Sequence, residues 1–519
     1  MGRPENHGLA GPCGRPDRVS LEGDWVWLFA DLIVGACLVA AIGLLGFALH
    51  RLLLIGWYAL HRAQAAPLPR PISDADCPQV LVQLPVWNEP EVMERLLDSI
   101  ASLDWPSDRL SVQVLDDSTD ETPEIVDRWI SRRRNSGLRI EHLRRTERLG
   151  WKAGALAAGL SSSSTPFVAI FDADFQPSPD FLRHAVPPFL SDSTVGLVQA
   201  RWGHQNANEN SLTRASSLLL DGHFVFEHGG RFRSGRFWNF NGTAGVWRRS
   251  AIEDSGGWMG DTLCEDLDLS YRAQLRGWKF IYLQALVAPA DLPTDVLSFR
   301  SQQHRWAKGS LQVAAKLLPS LLSAPLSIGQ KTEALAHLLS GLAAPLLLLW
   351  SVLHPFAIAA SPWALRTSPL LPAVAPLLVA GTVLVAGFYA LAGQRANPEA
   401  PWSRIASIPL VLALGVGLSV NGTRAALEAF SKDAGGFSRT PKGPLSSSRE
   451  HRKGSLQPWL EIALGFLQFA GVGAAVLTGR VWTIPFLVLF AVGFLTLGRG
   501  SLPSQAPSRR AHEQASVPS

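Results

Sequence analysis

Two hydrophobic patterns divide the chain. Between residues 62 and 310, short apolar runs of strand length alternate with stretches of helical period. At 26–60, and over most of 334–497, the apolar positions run on almost unbroken. In the first region, "QVLVQLPVW" (79–87), "SVQVLDD" (111–117), "LRIEHLR" (138–144), "PFVAIFDAD" (166–174) and "VGLVQARW" (195–202) read as strands. Helical patterns fall between them at 90–103, 122–134 and 152–160, with Pro123 near the start of the second. Alternation of this kind predicts an α/β domain with a mainly parallel sheet covered on both faces. Ligands of such sheets bind beyond the carboxyl ends of the strands, and Asp116, Asp117, Asp172 and Asp174 fall at that edge.

The unbroken runs predict membrane helices, since about 20 apolar residues span a bilayer. The first span is 26–49, with an interfacial continuation through 61, and no small-residue cleavage site follows it. Four more are expected at about 335–358, 370–393, 458–478 and 481–498. The segment 404–428 is Gly-rich and carries Asn421, Arg424 and Glu428. Charge decides its reading. The loop 429–457 holds Lys432, Arg439, Lys442, Arg449, Arg452 and Lys453, whereas the links at 359–369 and 479–480 hold one arginine each, Arg366 and Arg480. Positive loops stay cytoplasmic, so the loop lies on the same side as the α/β domain. An even number of crossings must separate the two, which makes 404–428 an interfacial amphipathic helix and places the N-terminus outside.

Composition adds little beyond this segregation. Of 519 residues, 47% are hydrophobic and 17% charged, and the net charge is +4. No basic stripe or zinc-finger spacing points to nucleic acid. The four cysteines, Cys13, Cys37, Cys77 and Cys264, form no CxxC pair, which suits a reducing compartment. Neither GxGxxG nor GxxxxGK[ST] is present, which disfavours dinucleotides and P-loop ATP chemistry.

Candidate chemistry gathers in five motifs. "FDADF" (171–175) sets Asp172 and Asp174 two apart at a strand end, hard oxygen ligands suited to Mg²⁺ or Mn²⁺ bridging a diphosphate. "CED" opens a helix with Glu265 and Asp266, either dipole-compensating acids or a general base for a sugar hydroxyl. "RLGWKAGALAAG" (148–159) offers Arg148 and Lys152 at a helix start for phosphates; alone it reads as a surface helix. "NFNGTAGVWR" (239–248) lets backbone approach a ligand around Asn241, Gly242 and Thr243, or is a tight-turn strand. "QQHRW" puts Gln302, Arg305 and Trp306 on one helix face. There an arginine could meet a leaving diphosphate and an indole could stack on a pyranose; a bilayer-interface anchor is the plainer alternative.

The order of these motifs, from "LDDSTD" through "KAGAL", "DAD", "FNGTAGVWR", "CED" and "QQHRW" to membrane spans, resembles the processive family-2 glycosyltransferases of the cellulose synthase superfamily. It is most similar to cellulose-synthase-like (gluco)mannan synthases and xyloglucan-backbone synthases. The likeness covers about 78–310 and extends to "FSRTPKG" (437–443). It implies a GT-A fold and an inverting transfer from GDP-mannose or UDP-glucose to a β-1,4-linked polysaccharide that is moved across the membrane. By position it makes Asp266 the general base, with Glu265 beside it. Asp117 with Asp116 would contact the nucleoside, and Lys152 and Asp172 the diphosphate, with Asp174 acting through Mn²⁺ or Mg²⁺. Asn241, Gly242 and Thr243 would form the acceptor loop, and Gln302, Arg305 and Trp306 the acceptor and diphosphate platform. Arg439, Thr440 and Lys442 would belong to a gating loop. Cys264 departs from the usual Thr, and Asn241 from a usual Cys, the latter favouring the mannan-synthase side. A non-processive transfer to a lipid carrier is the alternative.

The expected organisation is a tail (1–25), a first span with its continuation (26–61), a GT-A domain (62–310), an interfacial helix (311–333), a membrane domain (334–498) and a second tail (499–519). The expected setting is the inner cell membrane, multi-pass, with the catalytic domain cytoplasmic. The expected partners are a nucleotide-sugar, a polysaccharide acceptor and the bilayer, without nucleic acid.

Overall fold

The computed structural model describes residues 21–133, 137–364, 371–399, 401–431 and 456–502. A seven-stranded sheet organises the first half. Its strands are β1 (Val80–Val86), β2 (Leu110–Asp116), β3 (Arg139–Arg144), β4 (Phe167–Ile170), β5 (Val195–His204), β6 (Gly245–Arg248) and β7 (Lys279–Ala290). They lie in the order β3-β2-β1-β4-β6-β5-β7. Only β6 runs antiparallel to its neighbours. The expected mainly parallel α/β sheet is therefore present, with the five anticipated strands in place. β7 is an addition, and "GVWR" proves to be a strand.

Both faces are covered, as near-continuous apolar strands require. Along β1, Val80, Val82, Leu84 and Val86 enter one core, while Leu81 enters the other. Numbering only helices of eight or more residues, α1 is Leu21–Leu60, α2 Pro90–Ala101, α3 Thr122–Arg132, α4 Trp151–Ser161, α5 Ser211–Gly222 and α6 Glu265–Leu275. Then follow α7 (Val296–Ser323), α8 (Ile328–Leu338), α9 (Ala343–Ala364), α10 (Leu371–Ala396), α11 (Ile408–Ala429), α12 (Gln457–Leu477) and α13 (Ile484–Gly500). The first apolar run and its continuation form one unbroken helix, α1.

Among the described residues, six helices are long and apolar enough to cross a membrane: those at Ala30–Leu60, Ser340–Ala360, Pro376–Ala396, Ile408–Ala429, Gln457–Leu477 and Val481–Gly500. A buried ion cluster fastens the first of them to the α/β domain. Glu333 of α8 takes a hydrogen bond from Arg231 at 2.8 Å and lies 2.8 Å from His50 of α1. Removing one partner from such a cluster leaves an uncompensated buried charge, which costs about 3–5 kcal/mol.

The polar end of α11 is anchored to α7, the helix bearing "QQHRW". Glu428 lies 3.0 Å from His304 and 3.6 Å from Lys308, and Asn421 Nδ2 donates to the Arg300 carbonyl at 3.0 Å. Asn421 and Glu428, two of the polar residues that set this segment apart in the sequence, thus face α7.

Candidate active site

A cavity of about 190 Å³ opens at the carboxyl ends of β1, β2 and β4. Asp117, Lys152, Asp172, Asp174, Asn241, Gly242, Glu265, Asp266, Gln302, Arg305 and Trp306 all line it. Residues up to 189 positions apart therefore share one site (Asp117 to Trp306, 306 − 117). Two of the anticipated residues stand behind it. Asp116 is buried and turned into the fold, where its carboxylate accepts from Ser118 N–H at 2.8 Å and sits 2.9 Å from His142. Burial alone would raise its pKa, but the His142 and Ser118 bonds prevail and lower it. Thr243 is buried, and its hydroxyl accepts from Asp172 N–H at 2.9 Å, fixing the end of β4. Arg439, Thr440 and Lys442 lie outside the described residues.

The floor is built around a cation. Lys152 at the start of α4 donates to Asp172 at 2.6 Å and to the Gly242 carbonyl at 2.9 Å. Burial disfavours its charge, but Asp172 and Glu265 outweigh that and raise its pKa. Gly242 has φ +82°, and a Cβ there would stand 3.0 Å from Asp266 Oδ2 and 3.2 Å from Lys152 Nζ. Only glycine gives the loop both the left-handed backbone and this closeness.

Asp266 lies in the first turn of α6, beside Glu265. Burial, then the Glu265 charge, push its pKa up to about 7, with Lys152 pulling the other way. Burial likewise raises Glu265. Neighbouring acids in a dry pocket titrate as a pair, so the upward direction belongs to both. A helix-capping acid has no need of such a shift; a general base working near neutrality does.

The "QQHRW" face comes to Asp266 because α7 packs tightly on the residue before α6. A Cβ at Gly309 would meet Cys264 Sγ at 2.3 Å and its backbone nitrogen at 2.9 Å. Gly309→Ala should therefore push α7 from the cavity. Turnover is expected to fall by about 10²-fold, the order that a 1 Å misplacement costs, with the circular dichroism of the domain retained. Arg305 lines the cavity; burial depresses its pKa, against the opposing pull of Cys264, Glu265 and Asp172.

Of the two lining residues Arg148 and Asn241, both anticipated, each is held by partners, and Arg145, His223 and Glu227, which no motif announced, support the site from behind. The Arg148 guanidinium lies 3.5 Å from the centroid of Trp87, and burial lowers it to about 10. Arg145 holds Asp117 through two nitrogens, one Nε···Oδ1 contact being 2.9 Å. Asn241 Nδ2 is 2.9 Å from His223 Nε2, and His223 Nδ1 is 3.0 Å from Glu227. His223 opens a π-helical segment, His223–His228, an irregularity frequent at functional sites. The described non-glycine residues with positive φ are Asn88, Trp151 and Ala244, each beside or next but one to a residue lining the cavity. Sustained strain of this kind clusters where geometry is functional.

For a divalent cation the donor set is partial. Among the described residues, no group of three His, Cys, Asp or Glu is placed to hold a metal. Asp172 and Asp174 share the cavity, however, and Mg²⁺-type ions are held by one or two carboxylates together with substrate phosphates. The residues thus fit an ion that arrives with a diphosphate.

The site thus combines a GT-A-like sheet with two carboxylates at its switch edge, a lysine paired to one of them, and an acid beside a cationic–aromatic helix. The sequence model described as "Glycosyl transferase family 2" matches residues 82–255, which lie within the α/β domain. The chain is similar to glucomannan 4-beta-mannosyltransferase 2 of Arabidopsis thaliana, 44% identical over 255 residues, 48% of each chain. It is also similar to probable glucomannan 4-beta-mannosyltransferase 9 of Oryza sativa subsp. japonica, 46% identical over 250 residues, 47% of each. The chain spans about half the length of the curated relatives it matches. Among solved structures, the mannosyltransferase PcManGT from Pyrobaculum calidifontis, in complex with GDP-Man and Mn2+, aligns over 76% of this chain and 100% of that one. Its TM-score is 0.48 and its identity 24%.

Proposed function

We propose that the protein is an inverting, processive hexosyltransferase that extends a β-1,4-linked polysaccharide, with GDP-mannose as the expected donor and UDP-glucose as the competing one. One observation carries this reading: Asp266, the Lys152–Asp172 pair and the Gln302–Arg305–Trp306 face line a single cavity, on a domain fastened to helices able to cross a membrane. The relatives' names support mannose as the transferred sugar.

In this reading the acceptor's terminal hydroxyl lies against Asp266, which takes its proton as the oxygen attacks the anomeric carbon. The bond from that carbon to the diphosphate oxygen breaks, and the nucleoside diphosphate leaves. Lys152 and Arg305 face the negative charge that develops on the leaving group, in a site where burial strengthens each interaction. Asp174, with Asp172, would hold a Mn²⁺ or Mg²⁺ that neutralises the diphosphate. Asp117, fixed by Arg145, and Arg148 on Trp87 receive the nucleoside side. Trp306, on the helix that precedes the second group of apolar helices, stacks on the acceptor sugar. We read five helices as crossing and α11 as interfacial, because its polar end is paired with α7. With that topology the 429–457 segment would share the catalytic domain's side of the membrane.

The purified full chain, given either donor with Mn²⁺, should release nucleoside diphosphate and form a 4-linked hexan. Release of free sugar phosphate would instead identify a phosphohydrolase. The kcat/KM for donor should climb with pH through about 7, because a protonated Asp266 cannot accept the acceptor's proton. A pH profile without that acid limb would remove Asp266 from the role.

Asn241 receives a specific task. The Glu227 carboxylate takes the His223 Nδ1 proton, leaving Nε2 to accept from the Asn241 amide. That fixes the Asn241 amide and, with it, the backbone leading to Gly242 at the cavity wall. His223→Phe frees the amide to rotate. It should raise the acceptor KM about fivefold, the worth of a ~1 kcal/mol hydrogen bond, with donor hydrolysis by water unchanged.

A further inference from the structure

A second cavity, of about 350 Å³, lies away from the catalytic one and shares no lining residue with it. It forms where α1 and α10 end against β5 and β7, and it is lined by three arginines, Arg201, Arg233 and Arg395. No aspartate or glutamate is among its described lining residues, and none of the three arginines forms an ion pair among the described residues. Converging guanidinium groups repel one another unless an anion joins them.

Two of the three are held in position for that anion. Arg233 donates to the Tyr58 carbonyl at 2.9 Å and to Gln284 Oε1 at 3.2 Å, with its guanidinium 3.6 Å from the Tyr58 ring centroid. Arg201 donates through Nε to the Gln284 carbonyl at 3.2 Å, which leaves its two terminal nitrogens for a ligand. Arg395, in the last turn of α10, is exposed at the rim. Planar guanidinium groups fixed this way match the paired oxygens of a phosphate.

The source of the phosphate follows from the place. The cavity sits at the ends of two helices able to cross a membrane, Ala30–Leu60 and Pro376–Ala396. Val225, Phe232 and Ala396 line it along with the arginines, giving apolar surface beside the charge. Basic pockets between membrane helices on the positive side of a bilayer hold lipid head groups. We propose that this cavity binds the phosphate of an anionic phospholipid head group. The same chemistry could be supplied by free phosphate, and the two sources separate by experiment.

Native mass spectrometry of the full chain, released from mixed phosphatidylglycerol and phosphatidylcholine vesicles, reads the retained lipid directly and needs no turnover. The wild type should retain phosphatidylglycerol over phosphatidylcholine by about tenfold, roughly 1.4 kcal/mol. Arg395→Gln, a rim change that spares the packed arginines, should lose most of that preference, and Arg233→Gln the remainder. Millimolar inorganic phosphate should not displace the retained lipid. Equal retention of the two lipids, unchanged preference in both variants, or displacement by inorganic phosphate would each overturn the lipid assignment, the last in favour of a soluble anion. A chain that binds the lipid but makes no polymer would leave this site standing and the proposed function fallen.

Discussion

Asp266→Asn is expected to lower turnover by about 10²–10⁴-fold, the usual contribution of a general base, and at the same time to stabilise the protein. The two effects share one cause. Burial and the Glu265 charge raise the Asp266 carboxyl to about 7, so folding opposes its ionised form. For an acid raised on folding, the associated stability is present at low pH and drains away as pH climbs from the unfolded value of 3.8 through about 7. At neutral pH and above, the native protein therefore carries an unfavourable buried charge that Asn does not have. Thermal unfolding should move upward by about 2–4 °C for each kcal/mol relieved, and the gain should shrink as pH falls below about 7 and vanish near 3.8. A helix-capping role predicts the opposite pairing: a lower Tm with activity near wild type. Measuring turnover and Tm on the same preparations separates the two.

The second large effect is expected at Arg305. Arg305→Ala should cost about 10²–10³ in turnover, the range for removing a group aimed at developing negative charge. Arg305→Lys should recover part of this, because it restores the charge without the planar fork. The donor KM should move less than turnover, since the leaving oxygen carries more charge in the transition state than in the bound donor. Equal changes in both would make Arg305 a ground-state binder of the diphosphate. A bilayer-interface anchor would change neither and would instead alter the detergent dependence of stability. Trp306→Ala gives a companion readout. Loss of the stacking surface should shorten the product and leave donor hydrolysis unchanged.

What could be read from the sequence follows from the range of the interactions involved. β1, β2 and β4 are short apolar runs ending in polar residues, so local pattern alone places them and the carboxylates at their ends. β7 escaped such a reading. "KFIYLQALVAPA" breaks its alternation, and its pairing with β5 shifts register between Ala200 and Arg201. That bulge is set by tertiary packing. The antiparallel insertion of β6 between β4 and β5 is equally non-local. Within the site, Asp172, Asp174, Lys152, Asp266 and the "QQHRW" face were legible because each is a compact motif on one element.

The supporting groups were not legible, because each gains meaning only from a distant partner. Arg145 is one more cation in the basic stretch "HLRRTERLG" (142–150) until it meets Asp117, 28 positions away. Arg148 reads as surface until its guanidinium lies on Trp87. His223 and Glu227 sit in a helical stretch whose π-type winding no composition signals. Asp116 shows the converse. Its neighbour Asp117 faces the cavity, and strand alternation then turns Asp116 inward to His142. Gly309 carried information that the motif reading passed over. A glycine four residues past Arg305 marks the contact that brings α7 onto Cys264.

The central claim is that one cavity both performs the transfer and keeps hold of the growing chain. A product-length time course with limiting enzyme and excess donor tests it most directly. Labelled donor is supplied first and diluted with unlabelled donor during the run. A processive synthase should show long polymer from the earliest time points, with label confined to chains begun before dilution and most of the added acceptor untouched. Acceptors that all lengthen together by one or a few sugars, with label spread evenly among them, would contradict the account.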